Sequence, residues 1–563
     1  MVLNKRFIML VLFGLVFISN TLLAQNNLVS KENLRQHVYA LADDSMGGRN
    51  TATAGGAMAA RYISAAFRNV GLLPKQPNQS YLQDFEYFAG KIYSNKNKLI
   101  IGKSTLVAQK DYDILNNASN GNISTKLIYV GNGIVIPGKI DDYNGKANVS
   151  DMAFLIDIAT PKEIGAHSED YKQTELTIRI ETAIKKGAAA IIFFSSDSNE
   201  VLKPNLKERA KECGVPLVFL KQKPIESELN NPNTKVVLSV NLMKEQKTSQ
   251  NIIGFIDNKS KNTIVIGAHY DHLGLGEDGN SLYKGAPAIH NGADDNASGV
   301  ASIIELARKI KAENNTYKKY NYMFLAFSGE ELGLYGSKAF VDNLSNQIDS
   351  QNIDCMINLD MVGRLSNKDK NLEINGVGSS PSFDTILDAV SLNDLRIKKG
   401  LSGIGPSDHS SFYLKNIPVL HFFTGQHEDY HKPTDDAEKV NIDGMQKVCE
   451  YILRTIQEIE KRDKLSFTKT KQDSSAAPRY KISLGIIPDY MYDGDGLRID
   501  GVSDGRPAQK AGLQKGDIVL QLGENKVGDM SGYMKALSEF KKGDETTVII
   551  KRGKEMMSFK VIF

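Results

Sequence analysis

The sequence predicts an α/β protein whose mostly parallel, mixed sheet is sandwiched by helices. A β-rich module is inserted ahead of the main β/α run, and a second small β-rich module closes the chain. Three observations predict this. Between residues 251 and 462, apolar β-type runs alternate with amphipathic helical runs, the order that lays parallel strands under crossover helices. Between about 88 and 248 the texture changes to short β-like runs with one helix. A polar stretch at 463–480, including Ser474-Ser475-Ala476-Ala477-Pro478, has the composition of a linker and precedes the last module, 481–563. A chain of 563 residues has room for three or four domains.

Residues 1–24 read as a signal peptide. Lys5-Arg6 precede an apolar run from Phe7 to Ile18, and Ala24 stands before the polar Gln25. The run is short for a membrane span, and no cysteine follows it, which argues against a lipid anchor. No later stretch approaches 18 apolar residues, so stable membrane insertion is not expected. The expected destination is the periplasm or the medium of a bacterium. Residues 25–87 begin the main domain. Ser30 caps a helix, Asp43–Arg49 is a loop, and Ala54–Val70 is an Ala-rich helix that stops at Gly71.

In the inserted module, 88–248, strands are expected at Lys98–Ile101, Lys126–Val130, Ala153–Ile158, Ala189–Phe194, Pro216–Leu220 and Lys235–Leu242, with a helix at Glu175–Lys186. Gly102-Lys103-Ser104-Thr105 has the ending of a phosphate loop. Position 97 is Asn97 where that motif needs glycine, so the segment is read as a turn. The main run, 249–462, alternates strands at Thr263–Ala268, Tyr322–Phe327, Cys355–Leu359 and Pro418–Phe423 with helices at Ser298–Lys311, Tyr335–Asn343, Phe383–Leu392 and Ile442–Lys461.

Composition narrows the function classes. The chain is 41% hydrophobic and 24% charged, which excludes wholesale disorder. Its formal net charge is +3, to which Lys5 and Arg6 contribute two charges, so no electrostatic footprint for nucleic acid exists. Cys213, Cys355 and Cys449 are too few and too widely spaced for a disulfide framework or a metal knuckle. One disulfide among them remains open.

The chemistry-bearing residues of the main run gather at strand ends. His269 and Asp271 follow the first strand, and Asp294-Asp295 sit in the loop before a helix. Glu330-Glu331 follow the second strand, Asp360 ends the third, and His431 lies in the loop after the fourth. In an open α/β sheet the carboxyl ends of the strands line one crevice, so these loops aim two imidazoles and several carboxylates at one place. Two histidines with carboxylates suit zinc, and a shared carboxylate leaves enough ligands for two ions.

These segments resemble the co-catalytic di-zinc exopeptidase family (peptidase clan MH), which includes secreted bacterial aminopeptidases. The resemblance runs through AHYDHLG (268–274), GADDNASG (292–299), SGEELGLYGS (328–337), NLDMVGR (358–364), SDHSSF (407–412) and YHKPTD (430–435), and covers roughly 29–462. It implies a zinc-peptidase fold of the phosphorylase/hydrolase-like type and two zinc ions. Asp295 would bridge them, with a cis bond to Asn296. His269 and Asp360 would complete one site, and Glu331 and His431 the other. Glu330 would be the general base, taking a proton from a water held between the metals and passing it to the leaving amine. Asp271 would orient His269, and Asp294 would be a supporting partner or a helix cap. His272, His290 and His409 are expected to be structural or pocket-wall residues. Asp408 is expected near the substrate pocket, while Arg364 would pair with a substrate carboxylate or a neighbouring acid.

The insertion resembles a protease-associated (PA) domain, on Gly187-Ala188-Ala189-Ala190-Ile191-Ile192-Phe193-Phe194 and Pro216–Leu220. It would narrow access to the metals or serve as structure alone. Residues 481–563 resemble a PDZ domain, on Pro507-Ala508 through Gly516-Asp517. Leu484, Gly485, Ile486 and Ile487 would form its carboxylate-binding loop, holding a peptide C-terminus, unless the module only tethers. The resemblance implies peptide substrates and an exported zinc aminopeptidase. A metallo-carboxypeptidase is the runner-up. A glutaminyl cyclase is disfavoured because the chain has no tryptophan, and an inactive binding protein because all five ligand positions and Glu330 are present.

Overall fold

The structure, a computed structural model, describes residues 29–470 and 484–563, apart from 77–78, 147–148, 166–167, 198–200, 203, 208–209, 211, 223–230, 232, 345–347, 391, 393, 489–494, 503–505, 529–531, 534–535, 538 and 542. The expected leader, 1–24, and most of the expected linker, 463–480, lie outside the described residues. The chain forms two compact units. One comprises 86–247 with 543–545, and the other holds the remaining residues.

The larger unit starts with two helices. Helix α1, Lys31–Leu41, is capped by Ser30, whose side chain accepts from the Asn33 N–H. Helix α2, Ala54–Val70, is capped by Thr53 and ends at Gly71 in the left-handed conformation. Between them Asp44–Arg49 forms a 3-10 turn kinked at Gly47 and Gly48.

A nine-stranded sheet follows. Its strands are β1 (Leu73–Pro74), β2 (Leu82–Tyr93), β3 (Leu242–Ile256), β4 (Thr263–His269), β5 (Asn321–Phe327), β6 (Ile353–Leu359), β7 (Asn371–Asn375), β8 (Arg396–Lys399) and β9 (Val419–Phe423). The order is β1-β3-β5-β4-β6-β9-β7-β8, with β2 paired to β3. Strands β5, β4, β6 and β9 are mutually parallel, and β3 and β7 join them antiparallel. The chain leaves β4 for β5 on one side and reaches β6 on the other, so a crevice opens where the order reverses.

Both faces of the central strands are buried, which is why they read as continuous apolar runs. Alternate residues Ile264 and Ile266 join the core under α1, α2, α3 (Gly299–Ala312) and α7 (Ile442–Glu460). Val265 and Met356 face the other core, under α4 (Tyr335–Asp342) and α6 (His409–Tyr413). Helix α7 buries Ile442, Met445, Val448, Cys449, Ile452, Ile456 and Ile459 at helical spacing. Each such side chain contributes roughly 1.5–3 kcal/mol of transfer free energy. Helix α5 (Phe383–Ala389) completes that layer.

The expected strands and helices of the main run form within a few residues. The structure adds β7 and β8, which sequence reading left out. They are short, and Arg396–Lys399 is largely charged, so no apolar run marked them. The three cysteines are free.

The smaller unit is an eight-stranded sheet that includes Gly121–Tyr129, Ala153–Asp157, Ala190–Phe194, Leu217–Leu220 and Lys235–Val240. The helix Leu176–Lys185 accompanies it. The C-terminal module has Leu484 and Val519 in its own core and strands Leu497–Val502, Ile518–Leu522, Glu545–Arg552 and Glu555–Ile562. Among the described residues, no helix is long and apolar enough to cross a membrane.

Candidate metal centre

The parallel strands deliver the site residues at their carboxyl ends. His269 is the last residue of β4, and Ser328-Gly329-Glu330-Glu331 turn off β5 with Gly329 at φ +72°. Asp360 follows β6, and His431 stands in the loop after β9. Asp294 and Asp295 lie in the single turn Ala293–Ser298 that feeds α3, and the Asp295–Asn296 bond is cis.

Asp295 stands between two histidines. Its Oδ1 is 3.3 Å from His269 Nε2, and its Oδ2 is 3.4 Å from His431 Nε2. His269 Nε2 is also 3.2 Å from Asp360 Oδ1, and His431 Nε2 is 3.2 Å from Glu331 Oε2. Each ring is turned by a main-chain carbonyl at its other nitrogen. His269 Nδ1 faces Asp271 O at 3.1 Å, and His431 Nδ1 faces Asn280 O at 2.9 Å. An Nδ1–H donated to those carbonyls leaves both Nε2 lone pairs aimed at carboxylate oxygens. Acceptor facing acceptor calls for a cation between them. Metal–ligand bonds of about 2.0–2.1 Å in a tetrahedral site put neighbouring ligand atoms roughly 3.3 Å apart. The observed spacings therefore fit metal occupancy. His269, Asp295 and Asp360 form one group with ligand geometry, and His272, Asp295 and Glu331 form another.

The electrostatics agree. Burial opposes charge on both imidazoles, but Asp360 and Glu330 outweigh it for His269, and Glu331 and Asp295 for His431. Both rings are held well above the ordinary histidine range. Burial raises the Glu331 carboxyl, yet His431 and His272 bring it down to about 2. Asp295 is likewise held well below its ordinary range, against burial, by His272, His269 and His431. The whole cluster is tuned to stabilise positive charge. Burial, then Glu331, Asp360 and Asp408, push the Glu330 carboxyl well up, with His269 acting against them. Cations bound beside it would favour its ionised form.

The supporting residues differ in detail from expectation. The Asp271 carboxylate does not hold His269 directly: its Oδ1 is 3.9 Å from Nδ1, and the main-chain oxygen takes that role. Its Oδ1 accepts from the Glu330 N–H at 3.2 Å, and its Oδ2 from Thr51 Oγ1 at 2.9 Å. Asp294 accepts from the Gly363 N–H at 2.6 Å and from Ser298 Oγ at 3.0 Å, and lies 3.2 Å from His427. It fastens the loop after β6 to the turn before α3, and caps no helix through its side chain. Arg364 pairs with Asp429 at 3.0 Å and Asp435 at 3.2 Å, the neighbouring-acid alternative. Asp408 is completely buried, and burial pushes its carboxyl up to about 7.

His290 is structural, bonded to Ala288 O at 2.9 Å and Ser281 Oγ at 2.7 Å. His409 is buried and stacks on His421 with ring centroids 4.5 Å apart. His272 stands inside the cluster, with Nδ1 at 2.8 Å from Glu331 Oε1. The motif AHYDHLG placed it three residues after His269, but spacing alone does not say which imidazole turns inward. Asp435 and Asn280 were also missed, because their role depends on main-chain contacts across the fold. In the C-terminal module Leu484 is buried, Gly485 has φ +77°, and Ile486–Pro488 pairs antiparallel with Leu497–Val502. The Ile487 side chain lies outside what the structure describes.

Residues 251–456 match the Peptidase family M28, and residues 466–562 match the PDZ domain family. The chain is 28% identical over 316 residues to aminopeptidase YwaD of Bacillus subtilis, spanning 53% of this chain and 63% of that protein. It is 34% identical over 109 residues to the BOS complex subunit NCLN of Canis lupus familiaris, 18% of each. It thus spans less than two thirds of the length of these curated relatives. Among solved structures, BSAP, a zinc aminopeptidase from Bacillus subtilis, superimposes with a TM-score of 0.44 at 22% identity, over 78% of this chain and 98% of that one.

Proposed function

We propose that this chain, a member of peptidase family M28 with a C-terminal PDZ domain, is an exported, zinc-dependent aminopeptidase that removes N-terminal residues from peptides. One observation carries the reading: two imidazole Nε2 atoms face carboxylates that share Asp295, with Glu330 next in the chain to Glu331. His269, Asp360 and Asp295 would hold one zinc ion, and His431, Glu331 and Asp295 would hold the second. When bound, such a pair polarises a scissile carbonyl and makes water acidic enough to attack near neutral pH. Glu330 would take a proton from the attacking water as the water oxygen bonds to the carbonyl carbon, and would return it to the leaving amine as the carbon–nitrogen bond breaks. Asp271 steadies Glu330 through the main-chain N–H.

The acidic surroundings favour a free α-ammonium on the substrate. Arg364, the cation weighed as an anchor for a substrate carboxylate, is engaged by Asp429 and Asp435, which supports attack from the N-terminus. The name of the Bacillus relative agrees. Lys5–Gln25 supports export. Residues 88–248 serve as a PA domain, and the Leu484–Ile487 segment receives a peptide C-terminus. The test is hydrolysis of two matched peptides by zinc-loaded protein, with a chelator control and products read by mass. One peptide has a free N-terminus and a blocked C-terminus, and the other is the reverse. Cleavage of the first alone is expected, and cleavage of the second alone would make the protein a carboxypeptidase.

A further inference from the structure

Arg49 lies in the turn between α1 and α2, yet its side chain is wholly buried. Four of its N–H groups are spent on main-chain carbonyls. Nε donates to Tyr270 O at 2.8 Å, Nη1 to Leu41 O and Asn291 O at 2.6 Å each, and Nη2 to Gly292 O at 2.9 Å. Tyr270 sits between His269 and Asp271, and Gly292 opens the turn that holds Asp294 and Asp295. One planar fork thus spans the two loops that bring His269 and Asp295 together. The surrounding main chain is tied in as well. His272 N donates to Arg49 O at 3.3 Å, and Gly274 N to Gly48 O at 3.0 Å. At Gly48 a Cβ would stand 2.6 Å from Gly274 O, so the approach tolerates no side chain. Burial works against the guanidinium's charge, and Asp295, Asp271, Asp435 and Glu331 act to retain it.

A buried guanidinium that meets carbonyls on three segments fixes distances between segments, and lysine cannot reproduce that fork. We propose that Arg49 is a positioning residue that holds the His269–His272 and Gly292–Asp295 loops at ligand spacing before any metal arrives, so that metal affinity depends on it. The inference rests on the ligand assignment above.

The test compares the full-length wild type, Arg49→Lys and Ile459→Ala. Ile459 is buried near the C-terminal end of α7 and belongs to neither loop, so it controls for lost stability. Metal-free protein is titrated with Zn²⁺ against a chelating dye, and Co²⁺ absorption is recorded. Arg49→Lys should bind Zn²⁺ at least tenfold more weakly with an altered Co²⁺ spectrum, the usual effect of removing an outer support. Its kcat should fall more than its KM changes, while Ile459→Ala, at a comparable loss of Tm, binds like wild type. Arg49→Lys binding within twofold of wild type with an unchanged spectrum would overturn the proposal. Should Arg49→Lys not fold, hydrogen exchange of the wild type decides. The amides of His272 and Gly274 should be equally protected with and without Zn²⁺, and loss of protection in the metal-free protein overturns it. A wild type that takes up no Zn²⁺ overturns the ligand assignment instead.

Discussion

Asp435 accepts the main-chain N–H of Asp295 at 3.0 Å, and the same carboxylate oxygen accepts that of Asp294 at 2.9 Å. Its other oxygen takes Arg364 at 3.2 Å. The candidate bridging ligand is therefore held from behind by a buried acid whose charge is met by a guanidinium. Asp435→Ala would orphan two N–H groups and leave Arg364 with Asp429 alone. Each buried N–H left without its acceptor costs about 1–3 kcal/mol. Urea unfolding should register a loss of that order, and metal analysis a reduced zinc content. Asp435→Asn keeps one oxygen for the N–H groups and should lose less. An Asp435→Ala protein as stable and as metal-rich as wild type would refute this support.

Glu330 and Asp295 separate proton transfer from metal binding. Glu330→Gln keeps size and polarity but cannot accept a proton. Its kcat should drop roughly 10²–10⁴-fold, the usual contribution of a general base, with zinc content unchanged. Asp295→Asn should lose zinc as well as turnover. Near-normal turnover by Glu330→Gln, measured on a peptide with a free N-terminus, would refute the assigned base.

The gathering of His269, Asp295, Glu331, Asp360 and His431 was legible because their types are informative at strand ends. An acid pair after an apolar strand, as at Glu330-Glu331, has few structural reasons to be there. The central strands were legible as continuous apolar runs, and α7 from its apolar periodicity. Arg49 was not, since an arginine in a turn before an Ala-rich helix gives no hint of carbonyls more than 200 residues away. Asp435 resembled any loop acid for the same reason. Asp271 was assigned to the correct neighbour but through the wrong atom, because sequence does not reveal whether a carboxylate or its own carbonyl turns toward a ring. Strands β7 and β8 were invisible because their pairing, more than their composition, makes them strands.

Zinc removal should lower stability by an amount set by mass action. A ligand that binds only the folded state stabilises it by about 2.7 kcal/mol at a free concentration 100 times its Kd. The Tm of wild type should rise steadily with added Zn²⁺ and fall on chelation. Asp295→Asn should show a much smaller rise, because neither His269 nor His431 then has its shared carboxylate. Equal metal-induced shifts in the two proteins would place the stabilising metal elsewhere.

Asp354 gives a pH dependence remote from the metal centre. It is buried in β6, with Oδ1 accepting the Leu465 N–H at 3.0 Å and Oδ2 without a hydrogen-bond partner among the described residues. Burial pushes its carboxyl from 3.8 up to about 6, against the Leu465 bond and the charges of Lys464 and Lys319. The folded state thus binds this proton more tightly than the unfolded chain. Its contribution to stability is fully present below about pH 4 and is lost as pH rises through about 6. The shift corresponds to roughly 1–3 kcal/mol across that window. Asp354→Asn removes the titration while keeping an oxygen for Leu465. Urea unfolding of both proteins at pH 4, 5, 6 and 7 should show the variant gaining on wild type by about that amount toward pH 7. Taking the difference cancels the other titrating groups. A difference that stays flat would mean that Asp354 titrates as in the unfolded chain, and a variant advantage that grows toward pH 4 would mean that folding lowers its pKa; either outcome refutes the upward shift.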